Sequence, residues 1–138
     1  MKHQVVAVVG SSPQSAGEWC RVVASAGAVP ALKDLGTSAV IGADAWVVAL
    51  DQWQAPMTHG FWLRSLPAPI VLITPHTLAA QTLAPLVTQL KVITPPSRAL
   101  HGLADMLVLA MAGTAGTLVV PAQGFQPHGM RGATAWAY

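Results

Sequence analysis

The chain reads as an α/β protein built on a doubly wound parallel sheet, and three observations lead there. First, short apolar runs bounded by turn residues recur along it: Val5-Val6-Ala7-Val8-Val9, Trp46-Val47-Val48-Ala49-Leu50, Ile70-Val71-Leu72-Ile73 and Lys91-Val92-Ile93-Thr94. These runs are continuous rather than alternating, as strands are when helices cover both faces of their sheet. Second, segments with helical spacing lie between them. Third, a further run, Ala28-Val29-Pro30-Ala31-Leu32, carries a proline, which cannot donate to a ladder and belongs on a sheet edge. Five strands in the order 2-1-3-4-5, with strand 2 outermost, satisfy all three.

The helices follow in turn. Ser15-Ala16-Gly17-Glu18 has capping-box spacing, Trp19, Val22, Val23 and Ala26 then recur on one face, and Gly27 closes the segment. Residues 34–41 read as a short helix ending at Gly42, and 58–66 as another, carrying Phe61, Trp62 and Leu66. Residues 76–89 place Ala79, Leu83, Leu86, Val87 and Leu90 on one face. Pro85 lies inside that span, and a helix-interior proline costs about 3 kcal/mol, so a kink or break is expected near residue 84.

The last helix, 97–112, puts Leu100, Leu103, Ala104, Leu107 and Met111 on its core stripe, but Met106, Val108 and Leu109 make the remainder apolar too. A helix apolar nearly all round is buried on two sides or needs a partner. The stripe Ala99, Gly102, Met106, Leu109 and Gly113 is the expected outer contact, and together with the fourth helix, 76–89, it is expected to form a homodimer across a two-fold axis. The expected domain is thus 1–113. Residues 114–138 hold a short Leu118-Val119-Val120 run and then unperiodic Gly, Pro and single aromatics, and read as an extended tail.

Composition narrows function. The chain has 138 residues, one domain's worth, of which 9% are charged and 53% hydrophobic, where soluble domains carry about 25% charge. With a mean hydropathy of +0.51 it can build a core and still have apolar surface left over. The net charge of +2 comes from seven scattered Lys and Arg, without the stripe that tracks phosphates, so direct nucleic-acid binding is not expected. One cysteine, Cys20, excludes an internal disulfide and suits a reducing compartment; it is read as a packed residue. No signal peptide is read, and the two long uncharged windows, 65–90 and 106–130, are broken by Pro and Gly. A cytoplasmic protein without a membrane span is the expectation. The five histidines never pair at i, i+3 or i, i+4, so no metal site is expected. Ser11, Asp51 and His76 fall near strand ends, but no G-x-S-x-G elbow accompanies them. Of the tryptophans, Trp19, Trp46 and Trp62 fit core faces, and Trp53 and Trp136 are the interface candidates.

The strand spacing over residues 4–112, Ile70-Val71-Leu72-Ile73-Thr74 in the style of a fourth strand, and Thr94-Pro95 in place of a Lys-Pro pair together resemble the receiver domain of bacterial response regulators. The resemblance implies the flavodoxin-like (CheY-like) arrangement and a phosphorylation site at the carboxyl ends of the strands. Receivers place an acidic metal-binding pair after strand 1, an acceptor aspartate after strand 3, a Ser or Thr after strand 4 and a lysine after strand 5. Here Gly10 and Ser11 stand for the acidic pair and Thr94 for the lysine, and Thr74 alone matches. Receiver spacing counted from Asp44 puts Ala49 at the acceptor position, with Asp51 two residues on and the same face; the choice stays open. Mg²⁺ needs hard oxygen ligands, and one carboxylate does not hold it. The site is therefore expected to be degenerate, with no phosphotransfer, no metal and no cofactor. Degenerate pseudo-receivers of this kind resemble the docking modules that precede ANTAR coiled coils in transcription antiterminators of the amide-operon type, or the ATPase domain of Tad-type pilus localisation proteins. This chain carries neither a following coiled coil nor a Walker motif. The expected function is a non-enzymatic protein-binding and dimerisation module in signal transduction or transcription regulation.

A competing reading uses the same edge. Gly10-Ser11-Ser12-Pro13-Gln14-Ser15 offers hydroxyls ahead of a helix, a seat for the phosphate of a flavin or nucleotide in a small flavodoxin-like protein. The P-loop spacing and lysine are missing, and Ser15 with Glu18 is explained as a cap.

Overall fold

A computed structural model of the chain describes residues 3–33, 42–51, 62–113 and 116–121. Strand β1 (Val5–Gly10) leads into helix α1 (Pro13–Ser25), strand β2 (Val29–Leu32) and strand β3 (Ala45–Ala49). Residues 62–65 are helical (α2). Strand β4 (Ile70–Ile73), helix α3 (Thr77–Ala80) with a 3₁₀ turn at Gln81–Leu83, strand β5 (Leu90–Thr94), helix α4 (Pro96–Met111) and strand β6 (Leu118–Val119) complete the order. All pairings are parallel, in the order β2-β1-β3-β4-β5-β6. This is an α/β fold compatible with the flavodoxin-like arrangement.

The continuous apolar runs have the expected cause. Every residue of β3 and β4 is buried, because alternate side chains enter two different cores. Val6, Val8, Val47, Val71 and Val92 pack under α1 and α4. Ala7, Val9, Trp46, Val48, Leu72 and Ile93 pack with Leu63, Leu66, Leu83 and Val87 on the opposite face. Trp46 meets Trp62 edge to face at 6.0 Å, while the buried Trp46 indole N–H finds no partner among the described residues. Proline-bearing β2 is indeed an edge strand, with Pro30 beside Val6.

The strand count differs from the expected five. Leu118 and Val119, inside the span read as a tail, pair with Val92 and Ile93, and the Val120 N–H donates to Ile93 O at 2.7 Å. A two-residue strand is too short to show a pattern. Gly113 (φ +75°), after α4, and Gly116 (φ +82°), before β6, both take left-handed backbone angles that glycine adopts at no steric cost. Residues 122–138, Trp53, Trp136 and the expected helix at 34–41 lie outside the described residues, as does the first part of 58–66.

Three helices depart from the sequence reading. α1 begins earlier, with Ser12 as its cap: the Ser12 hydroxyl accepts from the Ser15 N–H at 3.1 Å, and Pro13 occupies the first turn, where it lacks only an N–H that would be orphaned anyway. Past Leu83 the expected helix at 76–89 dissolves into turns before Pro85, leaving Ala79 and Leu86 exposed instead of on the core face. In α4 the buried stripe is Ala99, Leu103, Leu107 and Ala110. Ala99, expected on the outer contact, is fully buried, whereas Leu100, expected in the core, is 57% exposed. Gly102 has non-helical angles (φ −136°, ψ 16°), so the first turn does not continue the phase of the rest. Met106 and Leu109 are half-buried against the core, Gly102 is intermediate and Gly113 is exposed.

Candidate functional site

Parallel strands all end on one side, so the fold gathers the residues that follow them. Gly10, Ala49, Ile73 and Thr94 are register partners across β1, β3, β4 and β5. The Thr74 N–H donates to Thr94 O at 2.9 Å. The predicted positions Gly10, Ser11, Ala49, Asp51, Thr74 and Thr94 therefore do meet at the carboxyl edge of the sheet, where doubly wound folds collect ligands.

Their chemistry is structural rather than metal-binding. A Cβ at Gly10 would lie 2.6 Å from the backbone nitrogen of Ala16 and 2.9 Å from its Cα, so α1 occupies the space that an acidic side chain would need. At the neighbouring position, the Ser11 hydroxyl accepts from the Asp51 N–H at 2.8 Å and lies 3.4 Å from Ala49 O, tying the loop after β1 to the loop after β3. Ala49 is buried in the core with its methyl group. Asp51 lies beyond the strand end, exposed, and is the one carboxylate among the six positions. Thr74 and Thr94 are fully buried; Thr74 Oγ1 accepts from the His76 N–H at 3.2 Å, and Thr94 Oγ1 donates to Pro95 O at 3.2 Å. Residues so arranged do not fit a magnesium ion, which needs several oxygen ligands free to turn toward it. Among the described residues no group of three or more His, Cys, Asp or Glu could hold a metal. No helix among them is long and apolar enough to cross a membrane.

Removing the Ser11 hydroxyl should loosen this edge. Ser11→Ala is expected to cost about 1 kcal/mol, the worth of an ordinary intramolecular hydrogen bond, and to speed amide hydrogen exchange at Asp51. Unchanged exchange there would show that the loop is held by something else.

Two clefts flank the loop between β1 and α1. The larger, about 340 Å³, lies between the helices, with Glu18, Trp19 and Val22 of α1 facing Pro96 and Leu100 of α4 and Asp51 at the strand end. The smaller, about 200 Å³, is lined by Ser11, Ser12 and Lys33 among others. Lys33, Glu18 and Leu100 were not singled out as site residues by sequence, since nothing local marks a residue that becomes a wall only through tertiary packing. Ser11 and His76 share no hydrogen bond; the serine is engaged with Asp51, so the hydrolase arrangement is not assembled. Cys20, on α1, packs half-buried against the core, and burial pushes its thiol pKa up, away from the thiolate. Comparison with protein-family models, curated proteins and solved structures gives no match.

Proposed function

We propose that the chain is a receiver-like module that cannot be phosphorylated and that acts by binding protein, including a second copy of itself, in the cytoplasmic signalling or transcription control of a bacterium. The supporting observation is Gly10: the close approach of the Ala16 backbone leaves no room for the first acidic ligand, and Ser11 has committed its hydroxyl to the Asp51 amide. With no carboxylate set to hold a metal and Thr94 where receivers carry their lysine after β5, the edge lacks the groups that neutralise a transferred phosphoryl group.

The surface offered to a partner is α4. Its exposed apolar residues are Leu100 (57%) and Val108 (56%), which take over from the half-buried Met106 and Leu109 as the reactive part of that helix. Exposed apolar side chains grouped on one element are a feature of interaction sites. Two measurements test the reading. Mg²⁺ with beryllofluoride should leave the tryptophan fluorescence unchanged; quenching at micromolar affinity would overturn the loss of phosphorylation. Val108→Glu should melt like the parent and sediment as a monomer where the parent self-associates; an unchanged sedimentation coefficient would remove α4 from the interface.

One observation favours a second reading, a phosphate-bearing cofactor at Ser11 to Ser15: Lys33 lines the smaller cleft beside Ser11 and Ser12. Against it, the Ser11 and Ser12 hydroxyls already accept from Asp51 and Ser15 amides. Flavin mononucleotide should produce no thermal shift; a shift abolished by Lys33→Gln would reverse the preference.

A further inference from the structure

The chain carries a net charge of +2 and has only five acidic residues, yet two of them, Glu18 and Asp51, line the same cleft between α1 and α4. Among the described residues neither carboxylate has an ion-pair or hydrogen-bond partner. The rest of that cleft is mixed, with Trp19 and Val22 of α1 and Pro96 and Leu100 of α4 supplying apolar surface and Ser12, Gln14 and Ser15 supplying polar groups at the start of α1. Leu100 is 57% exposed there although its helix could have turned it inward. A groove of about 340 Å³ is at the lower end of pockets that enclose a ligand. It suits one or two side chains better than a whole cofactor.

We propose that this cleft is a docking groove for a cationic peptide segment of a partner protein, with an apolar side chain between Trp19 and Leu100 and a Lys or Arg directed at Glu18 and Asp51. The inference rests on the protein-binding reading and names the chemistry of its partner. Charge complementarity selects the occupant: two carboxylates in one cleft favour a basic segment and disfavour a cleft-to-cleft contact with a second copy, which would bring its own two carboxylates to meet them.

The test titrates the full chain with a terminally blocked Leu-Arg-Leu-Arg-Leu peptide and with its neutral counterpart in which glutamine replaces both arginines. The charged peptide should shift the Gly17 and Glu18 amide and Leu100 methyl resonances, and the neutral one should not. Combining Glu18→Gln with Asp51→Asn, both exposed and so without consequence for folding, should weaken the charged peptide roughly tenfold. Asp105→Asn, which removes an exposed acid elsewhere on α4, should leave affinity unchanged. No shifts with the charged peptide, equal binding of the neutral one, or equal losses in the Asp105→Asn control would each overturn the groove. If the groove fails while self-association still responds to Val108→Glu, the protein-binding reading survives without it; if both fail, that reading falls as well.

Discussion

Gly10→Ala is expected to lower stability by about 3 kcal/mol, the upper part of the range for overpacked sites, and to reduce the melting temperature by roughly 10 °C. A Cβ there would sit 2.6 Å from Ala16 N and 2.9 Å from Ala16 Cα, where ordinary contact begins at 3.4 Å. Both atoms are backbone, so no rotamer change relieves the clash. The helix would have to withdraw from β1, opening the core that Ala16, Trp19 and Val23 fill. Gly10→Asp should be worse, since the same displacement must also accommodate a carboxylate. The pair carries a functional consequence, because placing at this position the acid that receivers carry should fail to create Mg²⁺ binding: α1 lies where the side chain and the ion would go. Chemical denaturation of both variants measures the first claim. A Gly10→Ala protein as stable as the parent would mean that α1 stands further from β1, and the argument against a metal at this edge would lose its steric half.

How much of this was legible in the sequence depends on where each signal lives. Strands buried on both faces announce themselves, because Val47 and Val48 must both be apolar when they enter different cores. Pro30 named its own edge through the missing N–H. The cap of α1 was misplaced although a signal for it existed: Ser12-Pro13 is a cap followed by a first-turn proline, and it competed with the box spacing of Ser15 and Glu18. β6 was beyond reach, since two residues define no period. The lock at Ser11 was also invisible, because its partner is a backbone amide 40 residues away whose approach depends on the register of β1 and β3. Within the site, the edge positions were gathered as expected, but the walls contributed by Leu100 and Lys33 arise from packing alone.

Ala99→Glu is expected to cost about 3–5 kcal/mol, as an uncompensated buried charge does, while Leu100→Glu should change stability by no more than about 0.5 kcal/mol. The contrast between adjacent residues follows from the phase of α4. Periodicity could not set it, because apolar residues occur on every side of this helix, and stripes through Leu100 or through Ala99 both share Leu103 and Leu107. Packing decides between them. Ala99 and Ala110, fully buried, let the helix lie close to the sheet, and Leu103 and Leu107 fill the space toward Val71 and Val92. Gly102, outside helical angles, lets the first turn take its own orientation, which leaves Leu100 on the cleft instead of under the helix. Thermal unfolding of the two variants separates the alternatives. A stable Ala99→Glu protein with a collapsed Leu100→Glu protein would return α4 to the phase read from sequence, move Leu100 out of the cleft, and take away the apolar wall on which the proposed peptide rests.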